Sequence, residues 1–537
     1  MHGGMLERDR GVGWRTGSTR VPLPIRTTYG GQGSLRWLPN SGRLPGGRNL
    51  SPRLGIVGAM QGHITAGRQK RRNCVILALL ILTASGCAAV PDVNDDIAEA
   101  SETGSERDVI LGPNGALNAS RSQRLLSSLA GEAEHDALLE RHLQVEQAVA
   151  GTPLTAGNAT ELLRDGEGAF AGIFEAIESA GHHINLEYYT FEDVTFDGRR
   201  LSDLLLSKRR EGVGVNIIYD SYGSSSTPRN FFKRLQAAGV NLVAFRPINP
   251  LDIIASGYSP NDRNHRKIMI VDGRFAVMGG VNLATYYQSK IPGSDESGQR
   301  ATPADKQPDV WRDLSIRIEG PAVAQLQRLF LGHWRSEDGP TLDQTGFFPK
   351  LPAVGDEIVR IIGSSPQQET SRYYATLISA IRHAERRIWL TTAYFVPTRE
   401  ERHELMAAAE RGVDVRLLLP AVSDAPQAVA VARSHYTALM EAGVRIFEID
   451  HVLLHSKAAT IDGVWSALGS SNLDHRSVLF NDEVDAVVLG RKAARGVEQV
   501  FQQDQANARE ISLEQWKRRP LPQRIGDFLH RTVQHLL

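Results

Sequence analysis

Two short stretches of this chain carry residue types suited to chemistry on a phosphate. Asn264–Asn282 reads NHRKIMIVDGRFAVMGGVN, and His455–Asn472 reads HSKAATIDGVWSALGSSN. Each supplies a histidine, a lysine two positions on, an Asp-Gly pair, and a closing Gly and Asn. On an extended strand alternate side chains share a face, so His265 and Lys267 point the same way, and His455 and Lys457 do likewise. An imidazole can serve as nucleophile, acid or base, and a fixed ammonium beside it attracts an anion. Asp272 and Asp462 stand before glycines, so they either share in the chemistry or make the hairpin turn. Gly279, Gly280 and Gly469 allow close backbone approach. One His-x-Lys-x4-Asp is a weak signal. Two of them with the same tail leave no room for coincidence.

The elements around the two stretches repeat as well. Ile184–Phe191 reads as a strand, Leu201–Glu211 as a helix, Val213–Asp220 as a strand, Asn230–Ala238 as a helix and Val240–Phe245 as a strand. The order then restarts, with Ile388–Phe395 matching the first strand and Met406–Pro420 matching Leu206–Asp220. Gly212-Val213 and Gly412-Val413 mark the same helix stop and strand start. Each hairpin is followed by a strand and a helix ending in Phe, at Phe330 and Phe501. The body is therefore a duplication, 153–350 and 351–537, of α/β type, each half a mixed sheet flanked by helices. Like halves pair about a pseudo-twofold axis, which would bring His265 and His455 to one active site at the interface. Ser289–Pro308, polar and rich in Gly, Ser and Pro, is an insertion in the first half alone, either a lid or a passive loop.

Composition sets wider bounds. The chain has 537 residues, 41% of them apolar, enough for about two or three domains with real cores. Formal net charge is zero, which announces no polyanion partner. Only ten lysines occur, and two are Lys267 and Lys457. The two cysteines, Cys74 and Cys87, exclude a disulfide framework and a Cys-rich metal site. Residues 1–59 show no sustained periodicity and read as disordered or as lying upstream of a true start at Met60. Within 60–87, Arg68, Lys70, Arg71 and Arg72 precede the apolar run Val75–Ala84 and the small residues before Cys87. That is the layout of an export signal, against the alternative of an uncleaved anchor over Cys74–Val90. Residues 88–120 read as an acidic linker, and 121–152 as a helical lead-in with leucines at helical spacing.

The paired motifs resemble those of the phospholipase D superfamily, over about Pro153 to Arg524. Within it the chain is most similar to bacterial cardiolipin synthases, on NATELLRDG at Asn158–Gly166, Glu187-Tyr188-Tyr189, WRDLSIRIEGPAV at Trp311–Val323, IIGSSP at Ile361–Pro366, AYFVP at Ala393–Pro397, and SSNLDHRS at Ser470–Ser477 with Asn481 and Glu483. The resemblance implies catalytic residues His265, Lys267, Asp272, His455, Lys457 and Asp462, with Asn282 and Asn472 binding substrate. It implies that His265 is the nucleophile and His455 the acid/base, a point on which the residues alone are silent. Asp313 and Glu483 look similar to acids that orient the histidines; ion-pair or core-edge roles are the alternative.

The implied reaction uses no metal or other cofactor. It makes cardiolipin and glycerol from two molecules of phosphatidylglycerol through a phosphohistidine, with a phospholipase D using water or another alcohol as the alternative. A nuclease fits the neutral charge poorly, and two intact motifs argue against an inactive scaffold. The export signal resembles that of a bacterial lipoprotein, which would make Cys87 the lipidated residue and place the body in the cell envelope, tethered to the membrane. Cardiolipin synthases of this type usually carry two transmembrane helices at that point instead. Of the remaining polar residues, His182 and His183 read as surface residues. Tyr188, Tyr189, Tyr394 and Phe395 line the pocket or fill the core. Arg476 either binds a second phosphate or pairs with Glu483.

Overall fold

Strands buried on both faces, alternating with helices, are the signature the sequence carries, and they set the architecture. The computed structural model describes residues 90, 110–130, 150–248, 258–288, 310–368 and 371–531. The first repeat runs β1 (Leu154–Arg164), α1 (Asp165–Ser179), β2 (His183–Tyr188), α2 (Leu201–Arg210), β3 (Gly214–Asp220), α3 (Arg229–Ala237), β4 (Asn241–Phe245), β5 (Lys267–Val271), β6 (Phe275–Gly279), β7 (Leu314–Glu319) and α4 (Val323–Ser336). The second runs β8 (Glu357–Ser364), α5 (Arg372–Arg382), β9 (Arg387–Thr391), α6 (Arg399–Glu410), β10 (Asp414–Pro420), α7 (Pro426–Glu441), β11 (Arg445–Ile449), β12 (Ala458–Ile461), β13 (Trp465–Gly469), β14 (Asn481–Leu489) and α8 (Arg491–Ala506).

The two halves have the same strand order. In the first it is β4-β3-β2-β5-β6-β7-β1, with β2, β3 and β4 parallel and the rest antiparallel. In the second it is β11-β10-β9-β12-β13-β14-β8, with the same senses. Helices α2 and α6 stop at Gly212 and Gly412, whose φ values of 92° and 94° suit glycine. Helix α6 opens on a capping box in which Thr398 Oγ1 accepts from Glu401 N–H at 3.1 Å and Glu401 accepts from Thr398 N–H at 2.7 Å.

Pairing across the repeats makes one body. β1 pairs antiparallel with β8, Thr155 opposite Val359. Arg263-Asn264 runs parallel to Asn481-Asp482, and Trp311-Arg312 runs parallel to Leu453-Leu454. Each motif is thus entered from a strand laid against the other repeat. A shared apolar cluster, with Ile268, Ile316, Phe330, Val359, Leu468 and Val484, seals the join.

Some expectations are corrected. The 88–120 linker does not stay unstructured throughout: Ile110–Gly112 and Gly115–Ala116 form a small hairpin whose first strand pairs parallel with the start of β1. The reason is an open edge at Leu154 and Thr155, which a short apolar segment can pair. Ala119–Ala130 is helical. His183 is buried against the Phe347 ring at 4.0 Å, and only His182 is exposed. The export signal, Cys87 and the Ser289–Pro308 insertion lie outside the described residues. Among the described residues no helix is long and apolar enough to cross a membrane.

Candidate active site

The cross-repeat strands place each histidine beside an acid of the opposite half. His265 N–H donates to the Asp482 carbonyl at 2.9 Å, and His455 N–H donates to the Arg312 carbonyl at 2.7 Å. The residue after each carbonyl is the acid: Glu483 for His265, Asp313 for His455. Nδ1 of His265 lies 3.0 Å from both carboxylate oxygens of Glu483. Nδ1 of His455 lies 2.7 Å from Asp313 Oδ2. A carboxylate only accepts, so in each ring Nδ1 carries the proton and Nε2 keeps its lone pair. Asp313 is held by the Tyr287 hydroxyl at 2.6 Å, and Glu483 by Ser477 Oγ at 2.9 Å and Asn481 Nδ2 at 3.2 Å.

Small residues make room for these acids. A Cβ on Gly280 would fall 2.1 Å from Asp313 Oδ1, and one on Gly469 would fall 2.2 Å from Asp485 Oδ1. The close approach expected at the glycines is toward backbone at Gly279, where a Cβ would fall 2.6 Å from the Leu314 carbonyl, toward backbone and a carboxylate at Gly469, and at Gly280 toward the carboxylate that orients His455. Arg266 braces the floor, donating to the Glu483 carbonyl at 3.1 Å and the Ser364 carbonyl at 3.1 Å.

Both lysines are buried beside their histidines. Lys267 Nζ donates to the His265 carbonyl at 2.5 Å, and Lys457 Nζ donates to the His455 carbonyl. Burial pushes Lys267 down to about 7 and lowers Lys457 as well. Burial also pushes His265 down to about 4 against the pull of Glu483, and lowers His455 with Lys457 adding to the effect. Both rings are therefore neutral in the empty site at pH 7. Burial raises Asp313 and Glu483, but the facing histidines and lysines outweigh it and hold both carboxyls below their ordinary range.

A cavity of about 220 Å³ opens on both histidines. Asn282 and Asn472 line it, as do Tyr189 and Tyr394. The Tyr189 ring meets His265 edge-on at 5.4 Å, and the Tyr394 ring meets His455 at 6.1 Å. Tyr188 and Phe395 belong to the core instead. Arg476 lines the cavity and is bonded to Asn261, not paired with Glu483. Tyr287, Arg263 and Asp424 were not singled out from the sequence. Arg263 was within reach of the alternation rule, two positions before His265; Tyr287 and Asp424 carry no comparable local signal.

The third motif residue stands apart from the cavity. Asp272 and Asp462 do not line the cavity. Asp272 lies seven positions past His265, on the order of 20 Å along an extended chain. They adopt φ values of 53° and 55° in the Asp-Gly turns. Asp272 accepts the backbone N–H groups of Gly181, His182 and His183, each at 2.8 Å. Asp462 does the same for Glu385, Arg386 and Arg387, at 3.0, 2.8 and 3.1 Å. Each pins the turn that leads from a helix into β2 or β9. Burial raises Asp272, but the three N–H donors outweigh it and lower its pKa from 3.8. Its stabilisation is therefore complete above pH 3.8 and is lost as pH falls through the lower folded value. Asp272→Ala should cost about 2–3 kcal/mol in denaturant unfolding, with little change in turnover per folded molecule. A selective collapse of turnover without loss of stability would return this residue to the catalytic set.

The family model described as "Cardiolipin synthase, PLD-like domain" matches residues 173–289 and 377–505, one segment in each repeat. The cardiolipin synthase of Geobacillus sp. (strain WCH70) is 33% identical over 397 residues, covering 74% of this chain and 76% of that one. That of Halalkalibacterium halodurans is 32% identical over 422 residues, covering 78% and 79%. Among solved structures, phosphatidylserine synthase of Haemophilus influenzae Rd KW20 superposes with a TM-score of 0.55 at 14% identity, over 74% of this chain and all of that one, which shows a shared fold. The chain belongs to the phospholipase D-like family of the cardiolipin synthases.

Proposed function

We propose that this protein is a phosphatidyltransferase that makes cardiolipin and glycerol from two molecules of phosphatidylglycerol. The observation that carries the reading is two neutral imidazoles on one cavity, each aimed by a carboxylate of the opposite repeat. A phosphodiester resists attack because it is anionic and its alkoxide leaves poorly. His265 Nε2 attacks phosphorus, the phosphorus–oxygen bond to glycerol breaks, and His455 Nε2 gives that oxygen a proton. His455 takes up that proton from solvent as substrate binds, because an anionic phosphate between the rings offsets the burial that keeps the ring neutral. His455 then takes the proton of the incoming hydroxyl, whose oxygen displaces His265. Lys267, Lys457, Asn282 and Asn472 bind the non-bridging oxygens as charge builds on them.

The identity of the relatives supports this choice of lipid chemistry. We assign 153–350 and 351–537 to the two repeats, the body to the bacterial cell envelope, and its tether to a lipid on Cys87. Cys87→Ala should move the protein from the membrane to the soluble fraction; unchanged sedimentation would refute the tether. The reaction is tested by lipid mass spectrometry after incubating the purified body with phosphatidylglycerol vesicles. Cardiolipin with equimolar glycerol is expected. Phosphatidic acid alone would make the enzyme a hydrolase, and cleavage of duplex DNA with inert vesicles would make it a nuclease.

A further inference from the structure

The two ends of the cavity are not alike. A constant spacing of 190 residues relates His265 to His455, Lys267 to Lys457 and Asn282 to Asn472, and the same spacing relates Arg263 to Leu453 and Arg476 to Tyr286. The pseudo-twofold is kept by the residues that meet the reacting phosphate and broken by these two positions. Two guanidinium groups therefore stand with Tyr189 at the His265 end, where the His455 end has Tyr286, Trp311, Tyr394 and Asp424.

The two arginines are built in. Arg263 shares a strand face with His265, about 6.6 Å along the chain, and its side chain is 5% exposed. Its Nη1 donates to the Arg246 carbonyl at 3.3 Å and stands 3.6 Å from Asp220 Oδ1. Asp220 is itself committed to the N–H groups of Tyr222, Gly223 and Asn264. Nε and Nη2 of Arg263 are buried with no hydrogen-bond partner, as is Oδ1 of neighbouring Asn481. Arg476 is fixed by Asn261, through Oδ1 at 2.7 Å and the carbonyl at 2.9 Å. The acid nearest in sequence, Asp474, is occupied in capping the helix His475–Leu479, accepting from Ser477 N–H at 2.7 Å. Buried guanidinium N–H groups without partners are costly unless an acceptor arrives, and phosphate oxygens suit them in charge and in geometry.

The donor lipid brings one phosphate, and the two His-x-Lys halves take it. A second anion in the same cavity can come only with the acceptor. We infer that Arg263 and Arg476 bind the phosphodiester of the acceptor phosphatidylglycerol and so direct the enzyme toward lipid rather than water. This rests on the phosphatidyl-transfer reading above. In the second step the acceptor hydroxyl oxygen bonds to phosphorus, the phosphorus–His265 bond breaks with its electron pair returning to Nε2, and the hydroxyl proton passes to His455. The acceptor's own phosphate lies a three-carbon bridge from the attacking oxygen. The arginines hold it there, and water draws no benefit from them.

The test uses the full chain with Arg476→Gln, Arg263→Gln and the double variant, in mixed micelles of labelled phosphatidylglycerol. Water, glycerol, serine and unlabelled phosphatidylglycerol are compared as acceptors. The expected result is that transfer to phosphatidylglycerol falls more than hydrolysis or glycerol exchange. The ratio of cardiolipin to phosphatidic acid should drop about 10- to 100-fold, through KM for the acceptor. Arg476 is only half-buried, so its variant carries the test if Arg263→Gln does not fold. Equal loss with every acceptor would overturn the inference by placing the arginines on the reacting phosphate. An unchanged ratio would overturn it too, and selective loss of transfer to serine would assign the pair to a carboxylate. If the unaltered protein makes no cardiolipin, the underlying transfer reading fails, and that result is distinct from all of these.

Discussion

Alanine at either His265 or His455 should lower turnover of phosphatidylglycerol by at least about 10⁴-fold, and the double variant should be no slower than the worse single one. The reason is the division of labour. Without His265 there is no atom in the cavity to take the phosphatidyl group. Without His455 the glycerol leaves as an alkoxide and no base awaits the acceptor. Residues that act as one unit do not add, because the first removal already stops the cycle. The protein should remain folded in each case, since neither ring carries core packing. Retention of even a tenth of the activity by either single variant, measured as lipid product, would end the two-histidine account.

The second large effect concerns the acids that aim the rings. Asp313→Asn and Glu483→Gln should each cost about 10²- to 10⁴-fold in turnover, as an amide nitrogen facing Nδ1 favours the wrong tautomer. The repeats cross here, so the two losses differ in kind. Asp313 serves His455, the proton donor. A phosphatidyl ester of p-nitrophenol, whose leaving group needs no proton, should restore the first step in Asp313→Asn. Glu483 serves His265, the attacking ring, and the same ester should not restore Glu483→Gln. Nitrogen NMR of the ring resonances separates a changed tautomer from simple loss of packing. Rescue of both variants, or of neither, would contradict the crossed assignment.

The parts of this site that were legible in the sequence are those written twice. His265, Lys267 and Asn282 stand out because His455, Lys457 and Asn472 repeat them. The strands at Ile184, Val213 and Val240 were legible because they are short apolar runs between glycines, and the structure moves their starts by only one residue. The seam between the repeats was harder to see. β1, LTAGNATELLR, shows no clean alternation, because one half of it pairs with β7 and the other with β8, burying different faces in turn. Asp272 shows a different limit. A carboxylate that closes a turn and one that serves a phosphate look alike in a motif, and only the three backbone N–H groups around it decide the matter. The mates of the histidines were nameable as Asp313 and Glu483, but their exchange between repeats depends on two short parallel strand pairs that no local pattern records.

The central claim is that one histidine takes the phosphatidyl group and the other moves the proton. It is tested most directly by His455→Ala with the p-nitrophenyl phosphatidyl ester. Attack needs no acid with that leaving group, and release of the adduct still needs the missing base. The account predicts one equivalent of p-nitrophenol per site in a burst, then a stall, with a phosphatidyl adduct on His265 by peptide mass spectrometry. Steady release without a burst, or an adduct on any residue other than His265, would contradict it.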